Sequence, residues 1–249
     1  MKKAMSTKLT LSSNSSSFTT KFLRRLCTDR NVQYEAALIS LDMFHAIPNI
    51  TKGDNDLFEY STDNGASWKQ ISLGTGSYEL NSINDEIQRV MTLNGDYDKT
   101  KQSYFVTISP DLSNLTSVIE IKNEQYKVRF RPNSIGSLLG FDDAETVIGF
   151  GYNESPKKVD ISKVTTILVN TDIIMGNRLN GAESSDIFSF TPNVAPGYKI
   201  SERPNSFMFF PVSRHDIDSI EIRLTDQNSK LIDIRDESIT IVLYIRPVK

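Results

Sequence analysis

The amino-acid sequence predicts a mainly β protein, an antiparallel β-sandwich of jelly-roll type with one or two short helices. Three observations carry that expectation. Two runs near the C-terminus, Ser219-Ile-Glu-Ile-Arg-Leu-Thr225 and Ser238-Ile-Thr-Ile-Val-Leu-Tyr-Ile-Arg246, alternate apolar and polar residues. Asn, Asp, Gly and Pro cut the middle of the chain into short strand-length pieces. A single segment has convincing helical spacing. Period-two alternation marks half-buried strands, and short strands broken by turn residues favour a sandwich over an α/β fold.

Residues 1–20 are polar and Ser-rich, with Ser12-Ser-Asn-Ser-Ser-Ser17 near their end. So little apolar area cannot offset the ordering entropy, so a flexible N-terminal arm is expected. Between residues 32 and 47, Glu35, Ala36 and Ala37 favour helix while the spacing of Ala37, Ile39 and Leu41 permits a strand. A strand is expected, closed by Pro48. Phe58 to Ile71 reads as a hairpin around Asp63-Asn64-Gly65, residues that tolerate positive φ. Ser82 then caps a short helix with Asp85 and Glu86 in its first turn, and Ile83, Ile87, Val90 and Met91 share one face.

Strands follow over Tyr104–Ser109, Ser117–Ile121 and Gln125–Phe130, with Asn123-Glu124 turning between the last two. Leu138-Leu-Gly-Phe141 forms a compact apolar unit. A second group starts at Thr165-Thr-Ile-Leu-Val-Asn170 and continues through Ile187–Phe190 and Ser206–Pro211 to the terminal pair. The link between that pair, Asp226–Glu237, is too short for a helical crossover, so both runs are expected in one antiparallel sheet. The region 21–249 reads as one jelly-roll domain or as that domain with an inserted or second β module around 55–155. Composition leaves both open.

The chain has 249 residues, a formal charge of −3 and one cysteine, Cys27. It can bury a core without disulfides, carries no global positive field, and contains no run of about 20 apolar residues. Lys2 and Lys3 precede Ser and Thr rather than an apolar stretch, so no signal peptide is expected. A soluble, intracellular protein with no membrane span follows as the expectation.

Motifs for chemistry fail one by one. His45 and His215 lack a second ligand at zinc spacing, and a Cys27–His dyad has no supporting context. The acidic groups at Asp54/Asp56, Asp142/Asp143 and Asp226/Asp233/Asp236 do not follow a calcium-loop frame. Neither Gly149-Phe-Gly-Tyr nor Gly74-Thr-Gly76 is a phosphate loop. Lys21, Arg24 and Arg25 flank Phe22 and Leu23, but three charges give little phosphate affinity, so no specific nucleic-acid site is expected. The expectation is no cofactor, no metal and no enzymatic activity.

Four segments in order resemble the penton-type minor capsid protein of Maverick/Polinton elements and adintoviruses. They are Phe58 to Asn84 with its hairpin, Gly76-Ser-Tyr78 step and Ile83-Asn84; Tyr126-Lys-Val-Arg-Phe130 with Ser137-Leu-Leu-Gly-Phe141; Val169-Asn-Thr-Asp-Ile-Ile174 with Asn180-Gly181 and Ile187-Phe-Ser-Phe190; and Ile220 to Asn228 with Glu237-Ser-Ile-Thr-Ile241. The chain departs from the family at Ser229, where a turn glycine is more usual. The resemblance implies a homo-pentamer at the capsid vertex of a virion assembled inside the host cell, surrounded by a double-jelly-roll major capsid protein. Subunit contacts are expected at Phe18, Phe22, Leu23 and Arg24 and in the loops at Asn180, Gly181, Pro196 and Gly197. Two other classes compete. A carbohydrate- or receptor-binding β-sandwich would use Trp68 with Tyr60 and Tyr78. A cupin-like enzyme would need a His-rich metal site, which two isolated histidines do not supply.

Overall fold

The computed structural model describes residues 6–142, 144–179 and 181–248. The chain opens with β1 (Thr7–Ser13), β2 (Ser17–Leu26) and β3 (Tyr34–Phe44). It continues through β4 (Leu57–Ser61), β5 (Lys69–Ser72), helix α1 (Leu80–Leu93), β6 (Tyr97–Asp98), β7 (Ser103–Tyr104), β8 (Val106–Asp111), β9 (Thr116–Ile121), β10 (Lys127–Phe130), β11 (Thr146–Ile148) and β12 (Gly151–Glu154). It closes with β13 (Ile167–Thr171), β14 (Asn177–Leu179), β15 (Ala182–Ser184), β16 (Asp186–Phe190), β17 (Lys199–Glu202), β18 (Phe210–Pro211), β19 (Ile217–Thr225) and β20 (Ile239–Pro247). Two compact units result, one joining the chain before Pro48 to the chain after Lys163, the other spanning residues 48–163.

The first unit is a two-sheet sandwich. One sheet has the order β1-β20-β3-β17, with β18 also along β3, and the other β16-β13-β19-β2; the pairings are antiparallel. If the eight strands on these two paths are counted in chain order, β18 set aside, the sheets read 1-8-3-6 and 2-7-4-5. The first strand thus pairs with the last and the second with the last but one, the double Greek key wrapping of a jelly roll. Alternation explains the core between the sheets. Ile220, Ile222 and Leu224 from β19 and Ile239, Ile241, Leu243 and Ile245 from β20 are buried there. Tyr34, Ala36, Leu38, Leu41 and Met43 enter from β3.

Two expectations for this unit are corrected. Residues 7–20 are not a loose arm: β1 runs from Thr7 opposite Ile245 to Ser13 opposite Ile239, and β2 pairs with β19. Ladder bonds supplied by distant strands, with Leu11 buried beneath them, override a polar composition that offers little local stability. The terminal pair also does not share a sheet, since β19 and β20 lie in opposite layers. Their connection crosses the core edge, burying Ile232 and Ile234 in the same cluster. Asp226 Oδ1 accepts the N–H groups of Asn228 and Lys230, which tightens the turn and holds Ser229 at φ +64. A residue in that left-handed region is strained unless it is glycine.

The second unit has its own core. Sheets β11-β10-β4-β5 and β12-β9-β8 enclose Phe58, Tyr60, Ile71, Ile119, Val128 and Phe130 together with Ile83, Ile87 and Met91 of α1. Helix α1 begins at Leu80, two residues before the expected cap; Glu79 is the N-cap and makes no side-chain capping bond. Asn84 Oδ1 instead accepts the Ile108 N–H at 2.9 Å and fixes the helix to β8. The Asn123-Glu124 turn joins strands that belong to different sheets, because β9 pairs with β8 and β12 while β10 pairs with β4 and β11. Leu138, Leu139 and Phe141 are buried, and Gly140 lies so close to Lys157 that an added Cβ would meet its carbonyl oxygen at 2.2 Å. No helix among the described residues is long and apolar enough to cross a membrane.

Candidate assembly surfaces

On the sandwich, β2 is the outer strand of its sheet. Lys21 stands opposite Ser219 and Leu26 opposite Ile217, so β2 uses five residues where β19 uses two. The extra residues bow out of the sheet edge. Such a bulge blunts an edge that would otherwise pair indiscriminately. Phe18 and Phe22 pack half-buried against the sandwich core. Leu23 reaches 106% relative exposure, and Lys21, Arg24 and Arg25 around it are exposed with no ion pair among the described residues. Of the four residues expected in contacts here, two face inward and two, Leu23 and Arg24, face solvent. Burying the Leu23 side chain in an interface would gain about 1.5–3 kcal/mol.

The other expected contact loops lie elsewhere on the sandwich. Gly181 sits exposed at φ +86 in the turn between β14 and β15, while Asn180 falls outside the described residues. Half-buried Pro196 and exposed Gly197 form a turn pinned to the end of β3: Gly197 N–H donates to His45 O at 2.9 Å. His45 Nδ1 lies 2.8 Å from Val194 O. Beside the turn, Tyr198 is exposed. Phe207 and Met208 are exposed as well, which is why the strand expected from Ser206 shrinks to Phe210–Pro211.

A groove of about 580 Å³ opens at Tyr34, Glu35, Met175, Val212, Arg214 and His215. Its charges are already committed, Arg214 to Asp172 and Glu35 to Arg246, both at 2.6 Å. His215 stands edge-on to Tyr34 at 6.5 Å. Burial pushes the Cys27 thiol up to about 11, which leaves almost no thiolate at neutral pH. Among the described residues, no group of three or more His, Cys, Asp or Glu is placed to hold a metal ion.

On the second unit, the aromatic trio weighed for sugar stacking is split apart. Tyr60 is fully buried, and its hydroxyl donates to Asp96 Oδ2 at 2.6 Å. Tyr78 packs half-buried on the same core. Trp68 is half-buried too, with the Arg129 guanidinium 4.1 Å from its ring centroid. Neighbouring Glu59 is 9% exposed at its side chain and accepts Arg129 Nε at 2.9 Å and Arg131 Nη2 at 3.0 Å. Sequence reasoning missed this arginine pair, although Lys127, Arg129 and Arg131 alternate with the buried Val128 and Phe130 in plain view.

No protein-family model matches the chain, and no curated protein matches it. Among solved structures, the crystal structure of the mavirus penton protein is similar over 98% of this chain and 99% of that one, at 9% identity and a TM-score of 0.50. The D2–D3 domains of the Escherichia coli flagellar cap protein FliD align over 95% and 98% at 10% identity, but their TM-score of 0.16 carries no argument. At such identities the likeness speaks to fold alone: the chain has a mainly β, jelly-roll-like architecture resembling that of a viral penton protein.

Proposed function

We propose that this protein is a structural virion component, the penton-type minor capsid protein of a Polinton- or adintovirus-like double-stranded DNA element. It assembles as a homo-pentamer at the capsid vertex and contacts a double-jelly-roll major capsid protein. The observation that carries this reading is the end-to-end likeness to the mavirus penton protein, spanning both units rather than the sandwich alone. A subunit in a closed ring uses two different surface patches, one meeting the other on the next copy. The bulge at Leu23 and Arg24 is one such patch, and the loops at Asn180-Gly181 and Pro196-Gly197 are candidates for the other.

Light scattering across a concentration series tests it. A discrete species of five chain masses, alone or on co-expression with a major capsid protein, is the expected result. A trimer, or a monomer that stays monomeric beside that partner, overturns it. Leu23→Asp should weaken the pentamer at least tenfold without lowering the melting temperature, because the side chain touches no core.

A further inference from the structure

We propose that the solvent face of the β11-β10-β4-β5 sheet binds an anionic polysaccharide, one carrying sulfate or carboxylate groups. The inference goes beyond the capsid reading, since it rests only on residues within the second unit.

Alternation along β10 sends Val128 and Phe130 into the core and Lys127 and Arg129 to the opposite face, where Arg131, just past the strand, reaches Glu59 at 3.0 Å. Residues two apart on one strand face are spaced by about 6.6 Å, so Lys127 and Arg129 start a row that Arg131 extends through its bond to Glu59. The register sets Glu59 of β4 beside Arg129, with Gln70 of β5 beyond it and Val147 of β11 on the other side. Glu59 is the carboxylate bonded to the row, and both of its oxygens are used. It therefore orients two guanidinium forks while three cations face one anion. Lys127 has no ion-pair or hydrogen-bond partner among the described residues.

The row ends at an aromatic platform. Trp68 is half-buried under the Arg129 guanidinium, which fixes the plane of that fork. Trp68 Cζ2 and Lys127 Cδ both lie 3.6 Å from where a Cβ on Gly65 would sit, so ring and ammonium stem border the same hairpin turn. The acidic residue in that turn, Asp63, is bonded to Ser61 and Ser67 rather than to the row. Planar forks of fixed orientation match the two-oxygen edge of a carboxylate or sulfate. A sugar ring stacks on an aromatic beside them. Nucleic acid fits less well. Three cations displace few counterions, and the chain carries net charge −3, which gives little hold on the long phosphate track of a nucleic acid.

Retention of the whole protein on immobilised heparin, at low salt and with a rising gradient, tests the site. The wild type should bind and elute earlier after Lys127→Glu, a change that breaks no ion pair or side-chain hydrogen bond among the described residues. The double variant K127Q/R131Q should weaken heparin affinity at least tenfold while the melting temperature shows the fold retained. Hyaluronan, which has carboxylates alone, separates carboxylate from sulfate recognition, and either one binding through Lys127 supports the proposal. Three results overturn it: no retention of the wild type on either polymer, retention unchanged in Lys127→Glu, or retention lost only when Lys21, Arg24 and Arg25 of the sandwich are neutralised. Tighter binding to a single-stranded DNA oligonucleotide than to heparin would also overturn it, in favour of nucleic acid.

Discussion

The two units solve the same problem with different materials. The sandwich core is almost wholly aliphatic, built by Ile, Leu and Val from strands whose partners lie up to the full chain apart. In the residue 48–163 unit, the core mixes aromatics with buried polar groups: Phe58, Tyr60, Phe130 and Phe141 sit near Asp56, Glu59 and Asp96, each 9% exposed or less. Aliphatic cores are non-directional and tolerate repacking, whereas buried polar groups require every partner to be in place. The sandwich should therefore lose stability in proportion to volume removed, and the second unit should fail at particular atoms.

The largest effect expected is Gly140→Ala. Its φ is +85, and the new Cβ would lie 2.2 Å from Lys157 O and 2.8 Å from Ser155 Oγ. Backbone strain plus an unavoidable clash should cost about 3 kcal/mol or more. Calorimetry should find the transition of the second unit lowered and that of the sandwich unmoved. Equal lowering of both would mean that the units unfold as one. Next comes Ile222→Ala, a fully buried β19 residue, expected to cost about 2–5 kcal/mol through transfer and cavity terms. Denaturant titration followed by a sandwich probe reads it directly.

Tyr60→Phe sharpens the contrast with almost no volume change. It strips Asp96 of one donor, leaving Lys69 at 2.7 Å, and should cost about 1–3 kcal/mol. A loss under a few tenths would put this unit in the same class as the sandwich. The smallest effect concerns pH. Hydrogen bonds from Ser67 and Ser61 hold Asp63 down to about 2, below its ordinary 3.8. A depressed carboxylate stabilises the fold above its unfolded pKa and loses that contribution as pH falls through the folded one. The turn between β4 and β5 should thus loosen between about pH 4 and pH 2, seen as faster amide exchange at Gly65 and Ser67. Unchanged exchange over that window would count against the hydrogen-bonded turn.

Legibility of the fold from sequence followed the locality of the signal. Alternation in 219–225 and 238–246 marked both strands, and Asp63-Asn64-Gly65 marked the hairpin, because each signal is contained in a few neighbouring residues. Pairing partners are not local, so β19 and β20 read as members of one sheet when they belong to opposite sheets. Thr7–Ser13 looked disordered since its strand exists only through β20, more than 200 residues away. The same holds at the surface. Leu23 and Arg24 could be singled out as an odd apolar-basic step, but Phe18 and Phe22 could be assigned to the core only once the register with β19 was known. Trp68 was noticed for its ring, and its arginine came from a strand some sixty residues on.

The wrapping of the sandwich has a consequence for synthesis. β20 lies between β1 and β3, so the first sheet lacks its middle strand until residues 239–247 have been made. Residues 48–163, by contrast, hold all the partners of their own core and can fold while the ribosome is still translating the rest. At roughly 5–20 residues per second, several seconds separate the two events. During that interval β1 and β3 wait with open edges, and a nascent chain in this state is most exposed to pairing with the wrong neighbour on a polysome. Slowing translation across the 164–238 stretch should lower the soluble yield, and co-expression of a chaperone that shields extended strands should restore it.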